Sequence, residues 1–117
     1  MSKIYVGKIT LLFILTIAIS GLGVSVMAAG NKHVAEALEH AKEAVSHGKQ
    51  GHADALAKHA ETALKHAQMA ENDMKGNTHI RESIKGLEDA VLQAKQGHAE
   101  KGTAAAEQVV AHLNEVK

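Results

Sequence analysis

The sequence predicts an all-α fold: an up-down-up-down antiparallel four-helix bundle made of two duplicated helical hairpins, preceded by an N-terminal signal peptide. Three observations carry this. Apolar and alanine residues recur at spacings of three and four through residues 34–116, the chain matches itself at an offset of 46 residues, and the opening residues have the three-part layout of an export signal.

The export signal comes first. Lys3 and Lys8 lie in a short basic region without an acid, an apolar run begins at Ile9, and small residues follow through Val26-Met27-Ala28. Cleavage is expected after Ala28, which divides the chain into a signal peptide, 1–28, and a His-rich bundle domain, 29–117. Ile9 to Val26 is also close to the ~20 residues that span a bilayer, so an uncleaved anchor is the alternative, against which Gly21 and Gly23 weigh. The expected location is periplasmic or secreted, without stable membrane association after cleavage.

The first and second helices follow from Val34, Ala37, Leu38, Ala41, Ala44 and Val45, then from Ala53, Leu56, Ala57, Ala60, Ala63, Leu64 and Ala67. Gly48 and Gly51 bracket a polar turn between them. Gly76-Asn77-Thr78 separates the two hairpins, with Asn77 or Thr78 available to cap the third helix. Ile80, Ile84, Leu87 and Val91 mark that helix, and Ala106, Val109, Val110, Leu113 and Val116 mark the fourth. The duplication pairs His33 with His79, Lys49-Gln50-Gly51-His52-Ala53 with Lys95-Gln96-Gly97-His98-Ala99, and His66 with His112. Short connections between the helices make neighbours antiparallel. With alanine supplying most of the apolar positions, the core is expected to be thin and open to stabilisation by a ligand of the folded form.

Composition excludes several functions. The chain holds 13 Lys+Arg against 13 Asp+Glu, so no sequence-wide positive field recommends a nucleic-acid partner. No cysteine is present, which removes disulfides, thiolate zinc clusters, haem attachment and a cysteine nucleophile. The nine histidines are the excess.

Those histidines have a geometry. His33, His40 and His47 step by seven in the first helix, and His52, His59 and His66 do so in the second. With Val34, Ala41 and Gly48 at heptad position a, all six occupy the g edge beside the seam. Seven residues rise ~10.5 Å, too far for one helix to close a site alone. An antiparallel hairpin turning near Lys49 and Gln50 pairs them as the rungs His47/His52, His40/His59 and His33/His66. The second hairpin keeps His79/His112, has Gln93/His98 for one rung and Gly86/Ala105 for another.

Carboxylates complete the set. Glu36 and Glu43 each stand three residues after one His and four before the next, spacings at which helix side chains are neighbours. Glu82 repeats Glu36 beside His79, and Asp89 repeats Glu43. Asp54, Glu61, Glu100 and Glu107 fall at i+2 and are expected to point off the His edge. A lone His–Glu pair is usually a solvated ion pair. Two facing columns flanked by acids instead predict metal binding by His33, His40, His47, His52, His59, His66, His79, His98 and His112 with Glu36, Glu43 and Glu82.

Imidazole and carboxylate donors suit Cu(II), Ni(II), Zn(II) and Co(II), with Cu(II) tightest by the Irving–Williams order. Met69 and Met74 read as packing residues rather than Cu(I) ligands. Catalysis is not expected. Di-iron bundles need Glu-x-x-His aimed into the core, whereas here the order is His-x-x-Glu on a flank, and there is neither a phosphate loop nor a nucleophile elbow.

The segments HVAEALEHAKEAVSHGKQGH (33–52), HAETALKHA (59–67), GNTHI (76–80) and IKGLEDAV (84–91) resemble the small periplasmic metal-binding protein family over the whole chain after residue 28. The resemblance implies a His-rich four-helix bundle that binds several divalent ions, copper(II) above all, and buffers or scavenges them in the periplasm. It also implies that Gly86, Gln93 and Ala105 stand where the family carries His, so the second hairpin is expected to bind fewer ions. Metal ions are the expected partners of a monomer. The alternative is a helical envelope interaction or stress protein whose histidines respond to pH without a dedicated metal role.

Overall fold

A computed structural model describes residues 31–117; the expected signal peptide and its expected cut after Ala28 lie outside the described residues. Four helices follow: α1 Lys32–Lys49, α2 Ala53–Asp73, α3 Thr78–Lys95 and α4 Ala99–Asn114. Each packs on its two neighbours in the order α1, α2, α3, α4 and back to α1, and α2 also meets α4 across the diagonal. The expected bundle is the observed fold.

Each boundary has a local cause. Asn31 caps α1, its side-chain oxygen accepting from the backbone N–H of His33 at 2.8 Å and of Val34 at 3.2 Å. Of the two residues able to cap α3, Asn77 does so, accepting from Ile80 N–H at 3.1 Å, while Thr78 is the first helical residue. Val116 lies beyond the end of α4 yet still packs on the core.

The KQGH sequence builds the same turn twice. His52 N–H donates to His47 O at 3.0 Å and Gly51 N–H to Gly48 O at 2.9 Å; His98 and Gly97 repeat this on Gln93 O and Ala94 O at 2.8 and 2.9 Å. This is the Schellman pattern, and it needs a left-handed residue at its fifth position, which Gly51 (φ 79°) and Gly97 (φ 83°) provide. The bond from residue six to residue one ties His52 to His47 through the backbone, so the turn itself sets the innermost rung.

The core is as alanine-rich as the sequence indicates. The buried face of α2 is Leu56, Ala57, Ala60, Ala63, Ala67 and Ala70, opposed by Val34, Ala37, Leu38, Ala41 and Ala44 of α1. Side chains this small let the α1 and α2 backbones approach, bringing the longer residues on the flank of the seam within reach of each other. Ile80, Leu87, Val109 and Leu113 give the second hairpin more bulk. Leu56 fills the middle: its methyl carbons would stand 2.6 Å from a Cβ at Gly48 and 3.3 Å from one at Gly102. Those two glycines make room for it.

Duplication also ties the hairpins together. Lys49 Nζ lies 3.1 Å from Glu107 Oε1, and its repeat equivalent Lys95 Nζ lies 2.6 Å from Glu61 Oε2. Glu61 and Glu107 thus point off the His edge, as their spacing indicates, and bridge one hairpin to the other. All four side chains are substantially exposed, so these pairs contribute little each.

Candidate metal centre

The six histidines of the first hairpin line one edge of the α1–α2 seam. Their rings meet as the expected rungs: His33/His66 with centroids 5.6 Å apart, His40/His59 at 5.8 Å and His47/His52 at 6.2 Å. They also meet diagonally, which the rung geometry did not anticipate. His40 lies parallel to His66 with centroids 5.8 Å apart, and His47 to His59 at 5.0 Å. The result is a single zigzag, 33-66-40-59-47-52.

Two carboxylates enter this ladder where the helix spacing puts them. Glu36 Oε1 lies 3.7 Å from His33 Nδ1 and 3.5 Å from His66 Nδ1, and the two nitrogens are 3.4 Å apart. These three atoms form a nearly equilateral triangle. The point equidistant from them is about 2.0 Å from each, the usual length of a bond from a transition-metal ion to imidazole nitrogen or carboxylate oxygen. Glu43 Oε1 does the same one heptad on, 3.0 Å from His40 Nδ1 and 3.3 Å from His59 Nδ1. Either group of three can hold a metal ion.

Burial sharpens the second group. The Glu43 side chain is only 14% exposed, against 35% for Glu36. His40 Nδ1 is buried and has no aligned hydrogen bond despite its proximity to Glu43. The nitrogen is close to the carboxylate but not directed at it, as expected where two ligands face a shared third point rather than each other. A half-buried donor set of this kind, with the His40 Nδ1 atom itself out of solvent, suits a cation better than it suits itself.

Protonation follows the same environment. Burial pushes the His59 imidazole below its ordinary range; Glu43 opposes this, and positive charge on His47 and His40 adds to it. His66 is likewise lowered, first by burial and then by His40, His33 and Lys32, with Glu36 working the other way. Metal binds the deprotonated ring, so a lowered value keeps these two nitrogens available near neutral pH.

The second hairpin is poorer. His79 and His112 keep their rung, with Nδ1 atoms 3.3 Å apart and centroids 5.6 Å apart. Glu82 is exposed and belongs to neither group of three donors. His98 is also exposed, and Gln93 occupies its partner's place. Asp89 Oδ1 accepts from Gln93 Nε2 at 3.3 Å, which turns the amide oxygen toward His98; Nδ1 of His98 therefore carries the proton and donates at 3.2 Å. At the Gly86/Ala105 rung there is a shallow cavity of about 250 Å³ lined by Glu82, Gly86, Asp89 and His112 among others. A Cβ on Gly86 would stand 2.6 Å from Cγ2 of the buried Val109, so the space a side chain at 86 would enter first is already taken.

Sequence reasoning missed the diagonal ring contacts and the role of Asn31, whose Nδ2 donates to Asp73 Oδ2 at 3.2 Å and latches the far end of the hairpin. An Asn just before the first periodic residues is the signal that could have found its capping role; no sequence signal reports its tie to Asp73. Met69 is exposed and Met74 packs against the core. Among the described residues, no helix is long and apolar enough to cross a membrane.

A protein-family model described as small metal-binding protein matches residues 7–116. No curated protein matches the chain.

Proposed function

The chain belongs to the small metal-binding protein family, and from that premise we propose that it buffers or scavenges divalent transition-metal ions outside the cytoplasm, Cu(II) foremost and Ni(II), Zn(II) and Co(II) below it. The observation that carries the proposal is the triangle of His33 Nδ1, His66 Nδ1 and Glu36 Oε1, with its repeat at His40, His59 and Glu43. Nitrogen and carboxylate oxygen at these separations match the ligand spacing of a divalent transition metal, and the two acids offset the charge of the ion. Copper preference comes from the donor chemistry and the general order of stability, not from a special cavity.

Buffering rather than catalysis accords with the architecture. The donors lie on the flank of the seam, half-exposed, so ions enter and leave without unfolding the bundle. His79/His112 would add a weaker two-nitrogen site, while His98, with Nδ1 held by Gln93, would offer only Nε2. The signal peptide, cleavage after Ala28, the periplasmic location and a monomeric state belong to the same proposal. Titration of the purified protein with Cu(II), followed by visible absorbance and elemental analysis, tests it. Binding of at least two ions per chain is expected; no absorbance change at several equivalents would reject the reading.

A further inference from the structure

We infer that the six histidines of the first hairpin form a track along which a bound ion moves without leaving the protein. The inference rests on the metal-binding reading above and concerns how those sites communicate. Three isolated rungs would make three independent sites. The diagonal contacts change this, because His66 stands beside both His33 and His40, at 5.6 and 5.8 Å, and His59 beside both His40 and His47, at 5.8 and 5.0 Å. Each consecutive pair along 33-66-40-59-47-52 shares one ring with the next.

Sharing a ring alters the route of exchange. An ion held by His33, His66 and Glu36 moves to His66 and His40 by breaking its bonds to His33 nitrogen and the Glu36 carboxylate and forming one to His40 nitrogen, while His66 keeps hold of it and water takes the vacated place. The same exchange at His40, His59 and His47 carries it to the turn. The shared nitrogen stays bound, so no proton is taken up or released by that ring and the charge of the ion travels with it. Glu36 and Glu43 make the first two rungs the resting places, each adding an oxygen to two nitrogens. At the far end His52 is exposed at the start of α2, so the track reaches the surface at the turn.

The test compares two rates in the protein expressed from its full sequence, with Zn(II) as the diamagnetic probe at half an equivalent per chain. Exchange spectroscopy on ¹⁵N-labelled imidazoles gives the rate at which occupancy passes between His33/His66 and His47/His52. Capture of released Zn(II) by excess chelator gives the rate of escape. Keeping one ligand throughout lowers the barrier relative to full release, so internal exchange should exceed escape by about tenfold or more. His40→Ala leaves both end rungs intact and removes the middle of the track, and internal exchange should then fall to the escape rate. Glu43→Gln weakens the central resting place but leaves all six rings, and internal exchange should stay above escape. Zn(II) binding with exchange no faster than escape, or exchange unchanged in His40→Ala, would overturn the track alone. Failure to bind Zn(II) at all would overturn the metal-binding reading beneath it.

Discussion

The imidazoles of His40 and His66 lie parallel to within 1°, with centroids 5.8 Å apart, although they sit on different helices and belong to different rungs. This relationship makes the histidine edge continuous. It follows from the stagger of α1 against α2, since each ring on one helix falls between two on the other.

Glu43 is expected to matter more to metal affinity than Glu36, because it is the more buried of the two and bridges His40 and His59 at 3.0 and 3.3 Å. Loss of a ligand should cost at least as much as the ~10–100-fold typical of losing an outer-shell partner. Calorimetry on Glu43→Gln should therefore show one site weakened by about tenfold or more; an unaltered isotherm would remove Glu43 from the ligand set.

Gln93→His should add a site to the second hairpin. The position faces His98 across a Schellman turn identical in pattern to the one that joins His47 and His52. The amide now holding His98 Nδ1 would be replaced by a second imidazole. Elemental analysis should find about one more ion per chain under saturating Cu(II), on the rung spacing that suits two nitrogens to one ion. No gain would mean that exposure at this turn defeats binding.

Gly86→His should fail to do the same. Its Cβ would meet Val109 Cγ2 at 2.6 Å, and Val109 is fully buried. Overpacking of this kind typically costs ~1–3 kcal/mol. A melting temperature equal to that of the parent would show that the helices part more readily than the core suggests.

Gly48→Ala tests the middle of the bundle. A Cβ there would stand 1.9 Å from Thr103 Oγ1 and 2.6 Å from Leu56 Cδ1, while Thr103 Oγ1 is held by its 2.6 Å bond to Ala99 O. Destabilisation of ~1–3 kcal/mol is expected, and each kcal/mol lowers the melting temperature by ~4–8 °C in a domain of this size. An unchanged melt would contradict the packing around Leu56.

The metal-free protein should lose stability in mild acid. His59 and His66 are both lowered below their ordinary value, mainly by burial, so the unfolded chain takes up protons at higher pH than the folded one. Their contribution is present above the unfolded value of ~6.5 and is lost as pH falls through the lower folded values. With chelator present, the melting temperature should be lower at pH 5 than at pH 7.5, and His59→Gln with His66→Gln should narrow that gap. A higher melt at pH 5 would reverse the sign of the argument.

The helices, their order and the three rungs of the first hairpin were legible in the sequence, because they depend on relations within a helix or across a tight turn. Heptad spacing puts His33, His40 and His47 on one face, the offset of three puts Glu36 and Glu43 beside them, and Gly51 sets the pairing of His47 with His52. What only tertiary structure decided was everything that depends on how far two helices slide and how closely they approach. The alanine seam of α1 and α2 allows the triangle at Glu36 and the diagonals through His40 and His59, whereas at Gly86 the bulk of Val109 has filled the space. Spacing along a chain fixes which residues share a face. Distances of 3 to 6 Å between faces are set by the packed volume between them, and no periodicity in the sequence reports that volume.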